Sequence, residues 1–509
     1  MLRWRSCALA PSFCRTFLLS IPAFRLRGTT LSKKLSLATT VIVFALSITS
    51  MAQKLTQLAN PAPDGAFVEY LLTDGTIMVQ GTQCSDWWKL TPDESGSYVN
   101  GTWKQLASLP SGYAPYATAG AVLADGRLLV SGGEYSECGG EFALVNESAI
   151  YDPKTNKWAK VAPPAGWDDI GDSPDVVLPN GMFLLGRKTT KQMAMLDPKT
   201  LKWTAVGSAG KKDFNAEEGW TLMPNGTILT WDVKANPNSE IYTPSEQKWV
   251  SAGSTVANLQ GPPQEGCLEY GHNQTYCPPG EVGPGILRPD GTVFATGALH
   301  LGASTGHTAI YNPAKKGSDK WTAGPDFPNG DAAGDEYAAL LPNGNVLVLG
   351  NSGEMYEFDG KTLKQTTVGY GSLIVMPSGE VLVAGQAAYT STGKYQSSWA
   401  PKITAFPSTV TRGSTYKISG QQFNGLSQAV AFGDEFESST NYPIVRITNQ
   451  SSGHVFYAKT HDHSTMGVAT GKATVFTHFD VPANMETGAS SLVVVANGIP
   501  SKAVSVTVE

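Results

Sequence analysis

The sequence has few charged residues, and acidic residues slightly outnumber basic ones. Asp, Glu, Lys and Arg make up 16% of the 509 residues, and the formal net charge is −6. A nucleic-acid-binding surface needs an excess of Lys and Arg, so this composition gives such a partner no electrostatic support. The sequence also has no Gly-rich phosphate loop after a strand, no nucleophile elbow and no zinc-spaced Cys/His set. The sequence therefore contains no motif that indicates nucleotide binding, serine hydrolysis or zinc coordination.

Long apolar runs are lacking as well. An apolar run over residues 35–48 follows two lysines and precedes a small-x-small triplet at residues 50–52. The run is too short to span a bilayer comfortably, and this order of segments predicts a secretory signal within residues 1–52. Residues 1–27 are Arg-rich and acid-free, so an over-long start or a transit peptide is an alternative for that leader. We expect a secreted protein, extracellular or periplasmic, with no membrane span in the mature chain.

Cysteine is scarce. The sequence has six, of which Cys7 and Cys14 fall in the predicted leader. The remaining four are an even number in an oxidising compartment, which predicts disulfides rather than reactive thiols. Cys267 and Cys277 close a short loop, and Cys84 and Cys138 follow the second strands of adjacent repeats. We predict the pairs Cys267–Cys277 and Cys84–Cys138.

Glycine, proline and tryptophan are plentiful by contrast, with 54, 32 and 12 residues. One pattern recurs seven times: an apolar strand, a short turn that ends in Gly and a second apolar strand, followed by a further Gly in six of the copies. Asn-Gly and Asp-Gly predict two-residue hairpin turns in which both central residues have positive φ. Hairpins at this spacing predict a seven-bladed β-propeller. The turns fall at Asp74, Asp125, Asn180, Asn225, Asp290, Asn343 and Ser378.

A Tyr and a Trp seven residues apart follow several of the hairpins, most clearly Tyr151 and Trp158. With the pair Gly132-Gly133, this pattern resembles the kelch repeat, which implies that the aromatic residues pack between neighbouring blades. The segment from Leu55 to Pro61 matches the outer strand of the first blade. We predict that it supplies the missing outer strand of the seventh blade and so removes an exposed sheet edge.

The pattern changes near Ala400, where short alternating strands continue without Trp or repeated hairpin turns. About 110 residues of this kind predict a β-sandwich of the immunoglobulin-like type. The predicted organisation is a leader at residues 1–52, a propeller at 53–398 and a sandwich at 399–509. The fold class is therefore all-β.

This order of modules resembles the galactose oxidase and glyoxal oxidase family. The resemblance is most specific in two short segments: APKIT at the start of the last module, and Asn497-Gly498-Ile499-Pro500-Ser501 before its final strand. The resemblance implies copper radical oxidation of alcohols or aldehydes by O2, with two His and two Tyr around one copper. One Tyr is cross-linked to a Cys in that family. Because proteins of one fold can differ in activity, each copper ligand of the family has to be matched separately to a residue of this sequence.

Most of the implied copper site has no match. Tyr116 falls at the position of the cross-linked Tyr, but residues 61–74 contain no Cys partner. Tyr370 matches the other Tyr, while Gly371 stands where the His should follow. The last His comes from a C-terminal loop that enters the channel in the family. If copper were bound, its ligands would be Tyr116, Tyr370, His461 and His463. We expect that chemistry to be absent and no cofactor to be required.

Residues just before the inner strands are candidates for ligand binding, because propellers bind ligands where loops meet over the channel. Tyr116, Asp172, Glu217, Glu218, Glu281, Asp335, Glu336 and Tyr370 hold this position. Carboxylates and tyrosines there suit a carbohydrate, although solvated loop acids would give the same pattern. His461 and His463 complete the set as candidates, with a loop docked by hydrogen bonds as the alternative. The predicted ligand-binding residues are Tyr116, Asp172, Glu218, Glu336, Tyr370, His461 and His463.

The function expected from these features is binding of a glycan or another polar ligand by a secreted monomer. Two alternatives stay open: a copper-dependent alcohol or aldehyde oxidase, and a structural module that binds a protein at the propeller rim. Copper content would separate the first alternative from the binding protein.

Overall fold

The computed structural model describes residues 53–138, 140–263, 266–270, 274–433 and 438–509. The predicted leader at 1–52, with Cys7 and Cys14, lies outside these residues. The described part is all-β apart from two single-turn 3-10 helices, Gly317–Lys320 and Pro328–Gly330. No helix within it is both long and apolar enough to cross a membrane.

Seven antiparallel sheets form the blades of a propeller, which confirms the predicted fold class. Their short buried inner strands surround the channel. From inner to outer, the strands of blades 1 to 4 are Glu69–Leu71, Ile77–Gln80, Trp87–Thr91 and Thr102–Gln105; Ala119–Val122, Leu128–Ser131, Ser148–Asp152 and Lys157–Val161; Asp175–Val177, Phe183–Gly186, Met193–Asp197 and Lys202–Val206; Thr221–Leu222, Ile228–Trp231, Asn238–Thr243 and Lys248–Ser254. Those of blades 5 to 7 are Gly285–Leu287, Val293–Thr296, Thr308–Tyr311 and Trp321–Ala323; Ala338–Leu340, Val346–Leu349, Glu354–Phe358 and Leu363–Val368; Leu373–Val375, Val381–Val383, Ala387–Thr390 and Lys54–Gln57.

The ends of the propeller sequence meet in blade 7. Strand Lys54–Gln57 pairs antiparallel with Ala387–Thr390, so that Lys54 faces Thr390 and Gln57 faces Ala387. The predicted ring closure is therefore confirmed. The strand covers hydrogen-bonding groups that would otherwise form an open edge.

The hairpin turns lie where the sequence places them, but their geometry differs from the prediction. In blade 1 the Gly75 amide donates to the Leu72 carbonyl, and the Leu72 amide donates to the Thr76 carbonyl. Gly75 has a φ of 76°, whereas Asp74 is not among the positive-φ residues. The prediction of positive φ at both central residues is wrong, because the loop has three residues and only its Gly is left-handed. Asp74 instead accepts the Thr76 amide at 3.0 Å.

The Tyr and Trp pairs of the repeats lie in contact on neighbouring outer strands. Ring centroids are 5.2 Å apart for Tyr151 and Trp158, and 5.0 Å apart for Tyr242 and Trp249. Tyr151, Tyr242 and Trp249 are buried. These aromatic side chains therefore belong to the core, as predicted.

The C-terminal part forms a curled sheet of nine strands around a core of its own, consistent with the predicted sandwich. Its strands are Lys402–Ala405, Thr409–Val410, Thr415–Gln421, Ile444–Asn449, Val455–His461, Val475–Asp480, Gly488–Ala496, Ile499–Pro500 and Val504–Val508. Two small hairpins in the propeller loops complete the described strands: Tyr135–Ser136 with Glu141–Phe142, and Leu268–Tyr270 with Gln274–Tyr276.

One piece of the C-terminal part, residues 427–433, runs inside the ring of inner strands and is called the channel segment here. Its strand Val430–Ala431 pairs with Ala338–Leu340 of blade 6. On the other side, the Leu222 amide of blade 4 donates to the Gln428 side chain at 2.7 Å. The propeller channel therefore contains backbone contributed by the C-terminal part.

Candidate binding cleft at the channel mouth

A cleft of about 1060 Å³ opens where the chain passes into the inner strands of blades 6, 7, 1 and 2. We call this end of the ring the channel mouth. The cleft is lined by aromatic rings and carboxylates that come from different blades. Those that matter for its chemistry are Phe67, Tyr116, Asp335, Glu336, Tyr337, Tyr370 and Phe432.

Aromatic side chains form much of its wall. Phe67 and Tyr116 meet edge to face with their centroids 5.0 Å apart, and Tyr337 lies 4.8 Å from Phe432. Tyr370 is 78% exposed and Tyr116 is 37% exposed. Exposed aromatic faces of this kind offer stacking surface together with a phenol hydroxyl.

The channel segment reaches the cleft as well. A Cβ on Gly433 would lie 3.1 Å from Asp335 Oδ1 and 2.9 Å from the Val282 carbonyl. Only a residue without a side chain fits that gap easily. Phe432, directly before it, lines the cleft. The C-terminal part therefore contributes both backbone and a ring to the site.

In three loops, a non-glycine residue within four positions of the inner strand that follows lies in the left-handed region. The φ values are 54° for Ala117, 58° for Glu217 and 52° for Asp335. Such residues cost free energy of order 1–3 kcal/mol each and persist where the surrounding structure fixes them. The two acidic residues of this set belong to the channel mouth, so the backbone holds their positions at a cost in stability.

Next to the cleft, a buried ammonium is surrounded by three carboxylates. Lys188 Nζ lies 2.5 Å from Asp172, 2.7 Å from Glu217 and 3.5 Å from Glu134. The Tyr276 hydroxyl donates to Glu217, and its ring centroid lies 5.3 Å from Lys188 Nζ. We call these five residues the Lys188 cluster. Although burial disfavours the charged amine, the surrounding carboxylates raise the pKa of Lys188 well above its usual value.

The three carboxylates have the mutual spacing of a metal site. Lys188, however, already supplies a positive charge within ion-pair distance of each of them. A second cation there would face repulsion from the ammonium. The cluster is best described as an ion-paired anchor for the loops of blades 2, 3 and 4.

The Lys188 cluster and the cleft share one electrostatic environment. The Glu134 amide donates to the Tyr116 carbonyl at 3.1 Å, and the Tyr135 ring lies 6.1 Å from the Tyr116 ring. Removal from bulk water and the nearby charge of Glu217 raise the pKa of Asp335 to about 7, while Lys188 opposes that rise. Removal from water and Asp335 raise the pKa of Glu336 to about 8. The cleft floor is therefore acidic, with carboxyl groups that titrate near neutral pH.

Of the seven predicted ligand-binding residues, the structure brings three to the cleft: Tyr116, Glu336 and Tyr370. Asp172 lies beside it in the Lys188 cluster. Glu218 is placed elsewhere, because it is fully buried and lies 2.7 Å from Lys211, which also pairs with Glu240 at 3.1 Å. Sealed in that second cluster, Glu218 has no access to a ligand in the cleft.

His461 and His463 do not join this group, and their placement with the cleft residues needs correction. The His463 amide donates to the Ala124 carbonyl beside a hairpin turn, and the Thr460 amide donates to Thr73. Hairpin turns lie at the opposite end of the inner strands from the channel mouth. His461 pairs with Asp462 at 2.8 Å and Asp480 at 3.2 Å, while buried His463 bonds Thr477 at 2.8 Å. Both rings belong to a loop that docks on the propeller through hydrogen bonds, which was the alternative to a ligand-binding role.

The residues present do not fit a radical-copper centre. The would-be ligands Tyr116 and Tyr370 lie at the mouth, whereas His461 and His463 lie at the other end of the ring. No His is among the described residues that line the cleft. All four cysteines after residue 52 are in disulfides, so none is left for a bond to a Tyr ring. We therefore derive no step through copper.

Both predicted disulfides, Cys84–Cys138 and Cys267–Cys277, are confirmed. Each ties down a loop that delivers a site residue. Cys138 follows Glu134 and Tyr135 by a few residues and anchors their loop to blade 1, and Cys277 adjoins Tyr276. The disulfides thus fix the chain on both sides of the Lys188 cluster.

Lys188, Glu134, Tyr135 and Tyr276 were missed at the sequence level, because they do not precede inner strands. A signal was nevertheless present. Glu134 and Lys188 each stand two residues after the Gly that closes the second strand of a blade, Gly132 and Gly186. Opposite charges at equivalent positions of adjacent blades predict an ion pair between their loops. Tyr276 had no such signal, since it comes from a hairpin outside the repeat.

No protein-family model matches the sequence, and no curated protein matches it. Among solved structures, a fungal alcohol oxidase of the AA5 family, in complex with copper, is 12% identical with a TM-score of 0.47, covering 89% of this chain and 98% of that chain. Virginiamycin B lyase from Staphylococcus aureus is 9% identical with a TM-score of 0.45, covering 67% of this chain and 99% of that chain. With sequence identities and TM-scores this low, neither similarity supports an argument about the activity of this protein.

Proposed function

We propose that the protein binds a neutral or amino sugar in the cleft at the channel mouth, without a metal cofactor. The observation that carries the proposal is the combination of exposed Tyr370 and Tyr116 rings with the carboxyl groups of Asp335 and Glu336 in one cleft. Aromatic faces stack on the apolar faces of sugars, and carboxyl groups bond their hydroxyls.

The charge of the site narrows the sugar class. Among the described residues, five carboxyl groups lie at or beside the cleft, those of Glu134, Asp172, Glu217, Asp335 and Glu336, with one ammonium, that of Lys188. An anionic sugar would meet repulsion there, whereas a hydroxyl or an amine would be accepted. The two disulfides are compatible with an extracellular location, where free glycans are accessible.

A glycan array of neutral, amino and acidic oligosaccharides tests the proposal, followed by titration calorimetry on the strongest neutral or amino sugar. Truncating an aromatic anchor should weaken that binding roughly tenfold in Tyr370→Ala and Tyr116→Ala. Glu336→Gln should also weaken it, while Glu246→Gln, on an exposed turn of blade 4, should leave it unchanged.

Two results would overturn the proposal. One is binding that survives all three cleft substitutions, since the cleft would then not be the site. The other is stoichiometric copper after growth in copper-containing medium, together with peroxide release from simple alcohols. That pair of findings would restore the oxidase alternative.

A further inference from the structure

A second concave surface, of about 920 Å³, lies where the chain leaves the propeller and enters the C-terminal sheet. It is formed by the linker at residues 395–401, the edge strand Lys402–Ala405 and the loops around Lys472 and Lys502. We call it the basic groove. It shares no lining residue with the cleft at the channel mouth.

The described lining of the basic groove is positively charged, whereas the protein as a whole is negatively charged. Lys402, Lys472 and Lys502 line it, and its described lining contains no Asp or Glu. All three lysines are exposed, and none has an ion pair within the described part of the chain. The protein as a whole carries a net charge of −6. Three separate segments thus bring positive charge together where no internal carboxylate neutralises it.

The rest of the lining offers hydrogen bonds and one aromatic face. Gln421 Nε2 donates to the Lys472 carbonyl at 3.3 Å, and Gln422 Nε2 donates to the Ser398 carbonyl at 2.9 Å. These bonds hold the linker and the Lys472 loop in place and leave amide oxygens as acceptors. Tyr395, at one end, is 39% exposed.

We propose that the basic groove binds an acidic polysaccharide, through the carboxylates and hydroxyls of uronic acid units. Lysine ammonium groups bind carboxylates as point charges, and the groove has none of the guanidinium forks favoured for phosphate. Amide oxygens and Tyr395 suit the hydroxyls and the apolar face of a sugar ring. Nucleic acid is disfavoured by the same lack of Arg.

The test uses the full chain and three probes: oligogalacturonate, the same oligomer fully methyl-esterified, and a single-stranded DNA of equal charge. Oligogalacturonate should bind with an affinity that falls as salt is raised, because exposed charges are screened. The esterified oligomer, which keeps the sugar but not the charge, should bind at least about tenfold more weakly if three ammonium groups carry the attraction.

The triple variant Lys402→Gln/Lys472→Gln/Lys502→Gln should lose at least about tenfold in affinity for oligogalacturonate. A matched triple, Lys154→Gln/Lys199→Gln/Lys315→Gln, removes the same charge from exposed positions on blades 2, 3 and 5. It should change the affinity less than about twofold. Equal losses in both triples would reduce the effect to net charge and overturn the proposal.

Two further outcomes also count against it. Tighter binding of DNA than of oligogalacturonate would assign the groove to nucleic acid, and equal binding of the esterified oligomer would remove the role of charge. Tyr116→Ala should leave oligogalacturonate binding unchanged, which separates this groove from the cleft. Thermal unfolding of each variant establishes that it is folded, as expected for exposed lysines.

Discussion

Lys188 Nζ lies 2.7 Å from a Glu217 carboxylate oxygen, and this contact joins the loop after the second strand of blade 3 to the loop that leads into blade 4. Glu217 holds its place with a φ of 58°, so the ion pair also fixes a strained stretch of backbone. The Tyr276 hydroxyl donates to the same carboxylate. Removing the ammonium would therefore disturb both neighbouring blades.

Lys188→Met should destabilise the protein by about 3–5 kcal/mol at pH 7, because it leaves buried carboxylates without their cation. The loss should shrink at pH 5, where protons neutralise part of that charge. Urea unfolding at the two pH values measures it, with exposed Lys154→Met as the control. Adding Asp172→Asn should restore part of the stability. A Lys188→Met variant as stable as the wild type at pH 7 would contradict the assigned anchor role.

Asp232 predicts a loss of stability as pH rises. It is fully buried beside Lys211 and Glu218, and neither of its carboxylate oxygens has a hydrogen-bond partner among the described residues. Burial raises its pKa from 3.8 to about 8. Between these values the unfolded chain ionises this group and the folded protein does not, so stability falls from pH 4 to pH 8. Asp232→Asn removes that penalty and should gain about 2 kcal/mol relative to the wild type between pH 5 and pH 8. A constant difference across this range in guanidinium unfolding would rule out the titration.

His463 predicts the opposite dependence, a loss of folding stability as pH falls; we call this part of the stability curve the acid limb. Burial lowers its pKa to about 3, and its Nε2 has no hydrogen-bond partner in the part of the chain that the structure describes. As pH falls below 6.5 the unfolded chain takes up a proton that the folded protein refuses, so stability falls until about pH 3. His463→Gln should flatten the acid limb by about 2 kcal/mol between pH 6.5 and pH 4.5. Urea unfolding of the wild type and of His463→Gln at pH 6.5, 5.5 and 4.5 measures the difference, and equal pH dependence in the two proteins would contradict this role of His463.

The closing strand of blade 7 gives a fourth prediction. Thr56→Pro removes a hydrogen-bond donor from strand Lys54–Gln57. Thr56 faces Ala388, two positions from the bond between the Leu58 amide and the Gln386 carbonyl, so its amide points toward the partner strand. The variant should exchange amide hydrogens faster in Ala387–Thr390 and should be cut earlier by a protease near residue 57. Hydrogen exchange read by mass spectrometry checks this. Strands of blade 4, on the far side of the ring, should keep their protection unless the whole propeller unfolds.

Much of the fold was predictable because its rules are local. The hairpin at Asp74-Gly75 needs only a turn residue and a Gly between apolar strands, and the closing strand was visible as a match between two segments. The C-terminal contribution was misplaced for the same reason. His461-Asp462-His463 is a conspicuous polar cluster, whereas the segment that does enter the channel contains apolar and small residues such as Val430 and Gly433. Which segment fills the channel depends on tertiary packing, and local sequence patterns contain little information about such packing.

The cleft was predictable in part. Tyr116, Glu336 and Tyr370 hold a repeated offset from the hairpin turns, and the repeat carries them to one end of the ring. Glu218 shares that offset with its neighbour Glu217, yet the two side chains enter different clusters, those of Lys211 and Lys188. An offset along the chain cannot report such a change of direction. Tyr276 comes from an inserted hairpin, which no repeat pattern covers.

The channel segment has a consequence for how this protein can be divided or can diverge. Because Phe432 lines the cleft and Gly433 lies against Asp335, a cut in the linker at residues 395–401 would leave neither piece with the whole cleft. A substitution at Phe432 would alter the lining of the cleft from a module that is separate in sequence from the blades. The specificity of the propeller is thus inherited jointly with its C-terminal partner, and transplanting one without the other would not carry it over.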